Sequence, residues 1–104
     1  MKRCRLRYLP LFYDDAEKIV SYIDKTLGNP LAAKRLISDV EKAILERLKS
    51  QESFSKYEST KLREHPYYRI RVRYYLVFYV VIEEEGEKTM EVRRLLYGRR
   101  DIVL

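Results

Sequence analysis

The chain is poor in the residues that build staples and metal sites. It has one cysteine, one histidine, no tryptophan, three glycines and three prolines. With Cys4 alone no intrachain disulfide can form, which suits a reducing compartment. Cys4 and His65 are too few for a Cys/His zinc site, so no metal is expected, and no cofactor either. No apolar run approaches the roughly 20 residues that a membrane helix requires. Met1-Lys2-Arg3 has the charge of a signal-peptide start, but Tyr8-Leu9-Pro10 follows in place of an apolar stretch. Export is therefore not expected, and the reading is a cytoplasmic protein without a membrane partner.

With 46% hydrophobic and 37% charged residues, the chain has enough apolar surface to fold. Its 104 residues fit one domain, read as residues 1–104. Ten tyrosines are present, and tyrosine pairs an apolar ring with a hydroxyl that needs a polar neighbour. The net charge of +6 is unevenly spread. Residues 1–10 hold only positive charge, and residues 11–50 are balanced. Residues 56–75 and 93–104 are basic blocks that flank an acidic stretch containing Glu83, Glu84, Glu85, Glu87 and Glu91. Basic blocks of this kind suit a polyanion or an acidic protein partner, or a solvated surface.

Residues 3–9 alternate, with Cys4, Leu6 and Tyr8 on one side and Arg3, Arg5 and Arg7 on the other, which predicts a half-buried strand. Phe12, Ala16, Ile19, Ile23 and Leu27 recur at helical spacing after Pro10, predicting a helix over about residues 10–27. Gly28 suits its end, and Asn29-Pro30 suits the start of a second helix. Ala33, Leu36, Ile37, Val40, Ile44 and Leu48 give that helix, about residues 30–49, its apolar face. Residues 50–66 are polar and aperiodic and read as a loop. Residues 67–73 alternate, setting Tyr68, Ile70 and Val72 against Arg69, Arg71 and Arg73. Residues 75–82 form a continuous apolar run, predicting a central strand buried on both faces. A hairpin turn is expected over residues 83–88, and a last strand over residues 89–97 before Gly98. The fold class is therefore α+β: an N-terminal strand, a helical hairpin, then a three-stranded antiparallel meander. The helices pack on one face of a four-stranded sheet, with the first strand beside the last.

Several stretches carry a family likeness. They are Arg7-Tyr8-Leu9-Pro10, Asn29-Pro30 with Ala32-Ala33, Tyr68-Arg69-Ile70-Arg71-Val72, Tyr75-Leu76-Val77-Phe78-Tyr79-Val80-Val81, and Arg94-Leu95-Leu96-Tyr97-Gly98-Arg99-Arg100-Asp101. In this order and spacing the chain resembles the RelE/ParE toxins of bacterial type II toxin–antitoxin systems, over nearly its whole length. The resemblance implies a toxin that a cognate antitoxin neutralises. It implies one of two activities: RelE-like, metal-independent cleavage of mRNA on the ribosome, which the density of arginine near Tyr97 favours and which is the expectation here, or alternatively ParE-like poisoning of DNA gyrase without a catalytic site. Leu76 stands where many members carry arginine, and Tyr97 where some nucleases carry histidine.

Cleavage by a 2′-hydroxyl needs proton removal, stabilisation of the phosphorane and protonation of the leaving oxygen. The nuclease reading assigns this chemistry to Arg73, Tyr97, Arg99 and Arg100, and RNA binding to Lys61, Arg63, Arg69 and Arg71. Arginine holds phosphate bidentately. Tyrosine stacks on a base, a role open to Tyr97 and beyond it to Tyr67 and Tyr74 at most, and it removes a proton at neutral pH only if its pKa of about 10 is lowered. The plainer reading of Arg69 and Arg71 is a solvated strand face on which an antitoxin rests; for Tyr97 it is packing on the sheet. The expected partners are an antitoxin with an acidic segment and either ribosome-bound mRNA or gyrase.

Overall fold

The computed structural model describes residues 4–52, 56–57, 65–99, 102 and 104. Strand β1 (Cys4–Tyr8) leads into helix α1 (Pro10–Ser21), which runs on as a π turn over Tyr22–Thr26. Helix α2 spans Pro30–Arg47 and closes with a short 3-10 turn over Leu48–Ser50. Strands β2 (Lys56–Tyr57), β3 (Tyr67–Val72), β4 (Tyr75–Glu84) and β5 (Glu87–Tyr97) follow. The sheet order is β1-β5-β4-β3-β2, with β1 parallel to β5 and the other pairs antiparallel.

The hairpin connection follows its local chemistry. The π turn ends in a hydrogen bond from the Leu27 N–H to the Tyr22 carbonyl, 3.0 Å. Gly28 then takes φ +63°, and the Asn29 side chain accepts from the Ala32 N–H at 3.1 Å to cap α2. Two expectations change. The loop of residues 50–66 contains β2, too short to show alternation in sequence. The turn expected over residues 83–88 tightens to Glu85-Gly86, both at positive φ, so Glu83, Glu84, Glu87 and Lys88 remain in the ladder.

Strand β4 is buried on both faces. Val77 and Tyr79 join Phe12, Ile23, Leu36, Val40 and Ile44 in the core beneath the helices. Leu76, Phe78 and Val80 form a second cluster with Tyr67 and Leu96 on the opposite face, against which Ile102 and Leu104 pack. That cover beyond Gly98 is an addition to the sequence-based fold.

A carboxylate locks α1 to β5. The last pairing of β1 with β5 is Tyr8 with Val92. Just past it, Asp15 accepts from the Leu95 N–H at 3.0 Å and from Arg94 Nε and Nη2 at 2.7 and 3.0 Å. The carboxylate thus stands in for a strand where β1 has stopped, and it is buried. Opposite, β5 carries an irregularity that leaves Arg93 between the paired residues Val92 and Arg94. Among the described residues no helix is long and apolar enough to cross a membrane.

Asp15→Ala would leave a buried N–H and a largely buried guanidinium unmatched, costing ~3 kcal/mol of stability. Its exposed neighbour in Asp14→Ala should change stability by less than about 0.5 kcal/mol. Chemical denaturation of the two variants checks this; equal effects would show that the Asp15 contacts do not hold the helix to the sheet.

Candidate functional site

The second face of the sheet sets arginines around an apolar centre. From β1 come Arg5, reaching Glu87 at 3.3 Å, and Arg7, ion-paired to Glu91 with Nε at 2.8 Å. From β5 comes Arg93, whose Nε donates to Glu91 at 2.8 Å and whose guanidinium lies 5.7 Å from the Tyr67 ring centre. From β3 come Arg69 and Arg71, both exposed. Glu91 is nearly inaccessible, held between two guanidiniums. Burial alone would raise its pKa, but the hydrogen bonds from Arg7 and Arg93 outweigh that and bring it below the ordinary carboxylate value.

At the far end of β3 the chain turns through Arg73 and Tyr74 into β4. Arg73 sits at φ +56°, a conformation unusual outside glycine and asparagine, and its guanidinium pairs with Asp39 of α2 at 2.6 Å. The Tyr74 carbonyl accepts from the Gly98 N–H at 2.7 Å, tying this turn to the end of β5. A Cβ on Gly98 would lie 3.2 Å from the Tyr74 carbonyl oxygen and 3.6 Å from Arg71 Nη1. The Arg99 guanidinium stands over the Tyr74 ring, 5.2 Å from its centre. Arg71, Tyr74, Gly98 and Arg99 therefore meet at one end of the sheet.

The structure divides the residues that sequence reasoning grouped for catalysis. Arg73 does not share a face with Arg71. The alternation of β3 stops at Val72, the chain reverses, and Asp39 draws Arg73 to the helix side. Tyr97 pairs in register with Tyr75, whose ring packs on the helix-side core, and the two rings stand edge to face at 5.7 Å. Arg99 joins Arg71 by way of Tyr74 and Gly98. Arg69 lies further along β3, where its carbonyl accepts from Arg47 at 3.1 Å. Lys61, Arg63 and Arg100 fall outside the described residues. Burial raises the pKa of Tyr8, Tyr68, Tyr75 and Tyr79, so these hydroxyls are not poised to act as bases. His65 precedes β3 and is thus about 26 Å of extended chain from the Arg73-Tyr74 turn. Among the described residues no cluster of histidine, cysteine, aspartate or glutamate could hold a metal.

Two features escaped the sequence reading. Asp15 falls on the apolar stripe of α1, between Phe12 and Ile19, and an acid at such a position signals a buried partner. An open groove of about 250 Å³ between α1 and α2, lined by Phe12, Tyr13, Ile37, Val40, Glu41 and Leu45, has no signature in periodicity alone.

A family model described as the ParE toxin of the type II toxin–antitoxin system, parDE, matches residues 6–102. No curated protein matches the sequence closely enough to count as a relative.

The Glu91 network fixes an acid response. A carboxyl whose folded pKa is depressed stabilises the fold above its unfolded value, near 4.5, and that stability is lost as pH falls through the folded value. Glu91→Gln should therefore flatten the loss of stability below about pH 4.5. Urea unfolding across pH 3–7 measures it; an acid limb as steep in Glu91→Gln as in the parent would exclude Glu91 as a source.

Proposed function

The chain belongs to the ParE toxin family of type II toxin–antitoxin systems, and on that premise we propose that it arrests growth as a ParE-like inhibitor of DNA gyrase, acting by binding. The observation that carries this reading is the placement of the proton-transfer candidates. The lone histidine stands at the opposite end of β3 from the Arg71–Arg99 cluster, and Tyr97 faces the helix side beside Tyr75. Arginine remains protonated at neutral pH, so a cluster of arginines stabilises a phosphate but neither removes nor delivers a proton. Cleavage of RNA needs both transfers.

The second reading, a metal-independent, ribosome-dependent mRNA nuclease, draws support from the approach of Arg71 to Gly98 and of Arg99 to the Tyr74 ring. In it, Arg99 and Arg100 stabilise the phosphorane, Tyr97 moves the proton, Arg73 assists, and Lys61, Arg63, Arg69 and Arg71 hold the RNA strand.

A toxin of this family has a cognate antitoxin. An acidic, partly disordered antitoxin segment fits the arginines of β1 and β3, and its apolar side chains fit the groove between α1 and α2. Coupled folding on binding suits an inhibitor that has to be tight yet degradable. Such a segment is steered over long range, so its association rate should fall as salt rises.

Purified chain should block supercoiling by gyrase and accumulate cleaved DNA, while leaving mRNA on programmed ribosomes intact. Tyr97→Phe should arrest growth as well as the parent, because no proton passes through its hydroxyl. Cleaved mRNA on ribosomes, together with loss of that cleavage in Tyr97→Phe, would replace the gyrase reading by the nuclease.

A further inference from the structure

The geometry points to a binding site for single-stranded nucleic acid at the Arg73-Tyr74 turn, in which the Tyr74 ring stacks a base and Arg71 and Arg99 hold the flanking phosphates. It deepens the gyrase reading, which exposes a DNA strand during cleavage, and rests on it only for the source of the strand.

Four observations converge on this turn. The Tyr74 ring is 59% exposed although the chain has buried cores on both faces of the sheet that could house a ring. The Arg99 guanidinium lies 5.2 Å from its centre, so a cation and a π face are already assembled. The backbone beneath is fixed at both ends. Gly98 donates to the Tyr74 carbonyl at 2.7 Å, and Arg73 holds a strained φ of +56° through its ion pair with Asp39. A two-residue turn of this kind ordinarily favours glycine or asparagine, so the residues here forgo the relaxed choice. Finally, Gly98 lets the end of β5 close on the turn, because a Cβ there would lie 3.2 Å from the Tyr74 carbonyl oxygen, and Arg71 Nη1 stands at contact distance, 3.6 Å, from the same point. Ring, cations and a rigid turn are what sequence-tolerant binding of a single strand uses: stacking on the ring face and ionic contact with phosphate. A duplex hides its base faces and offers this site phosphate alone. A partner docking through an apolar surface would want an apolar surround, whereas Arg71 and Arg99 flank Tyr74.

The test is fluorescence anisotropy with a labelled twelve-nucleotide mixed-sequence single strand, as DNA and as RNA, and with the matching DNA duplex. The full chain should bind the single strands more tightly than the duplex, with affinity falling as salt rises. Tyr74→Leu, which keeps the charge and an apolar body, should weaken binding by about tenfold or more. Arg99→Gln should do the same and lower the salt dependence, while Arg35→Ala, which removes an exposed charge on α2, should not. Thermal melts matching the parent confirm that each variant is folded. A DNA strand bound more tightly than RNA identifies the strand opened by gyrase as the source; RNA bound more tightly identifies a transcript. Equal binding of duplex and single strand overturns the proposal. So does parent-like binding by Tyr74→Leu, or a Tyr74→Leu defect seen only with gyrase protein and not with oligonucleotides. Inhibition of supercoiling, measured alongside, separates the two readings. A chain that inhibits gyrase without binding strands refutes this site alone, and one that binds strands without touching gyrase refutes the gyrase reading alone.

Discussion

Strand β4 has to be dry on both faces, and most of the molecule is arranged around that demand. Its backbone bonds β3 on one side and β5 on the other. Val77 and Tyr79 point into the helix-side core, and Leu76, Phe78 and Val80 into the opposite one. An amphipathic helical hairpin closes the first face. The second is closed in part by Ile102 and Leu104. With the middle of the sheet reserved for apolar side chains, the arginines are displaced outward, to β1, to β3 and to the end of β5. The surface available for recognition is thus a border of cations around a sealed centre.

Charge taken out of water in this fold is matched. Asp15 and Glu91 are the buried acids among the described residues, and each meets arginine. Asp15 also satisfies a backbone N–H, and so joins helix packing to sheet geometry through one carboxylate. Tyr79 follows the same logic for a neutral group. Its hydroxyl donates to the Gln51 carbonyl at 2.7 Å and accepts from Arg47 at 3.0 Å. Each arrangement avoids leaving a polar atom alone in a low-dielectric interior.

The elements whose signal is local were legible in the sequence. Alternation in β1, the Gly28-Asn29-Pro30 sequence and the unbroken apolar run of β4 each name their structure within a few residues. What could not be read depends on partners far along the chain. Nothing near Asp15 in sequence announces Arg94. The alternation of Arg69, Arg71 and Arg73 looks continuous, yet the strand ends at Val72, and Asp39 on another element decides where Arg73 goes. The same limit applies to the candidate site. Arginine blocks are visible as composition, but which of them meets Tyr74 is set by the hydrogen bond between a turn and the end of another strand.

The parallel pairing of β1 with β5 has a consequence for how the molecule comes into being. Contacts such as Arg7 with Glu91 join residues 84 apart, and a pairing that distant closes slowly because so much chain entropy is lost first. During synthesis β1 and the helical hairpin emerge long before β5 exists. Until then the apolar side of β1 and the inner stripe of both helices lack the sheet that covers them, and Asp15 lacks its arginine. The nascent chain therefore passes through a stage with sticky, unmatched surfaces, open to chaperones and to any partner already waiting. The fold becomes competent only with its last strand, so a prematurely ended product is unfinished rather than partly active.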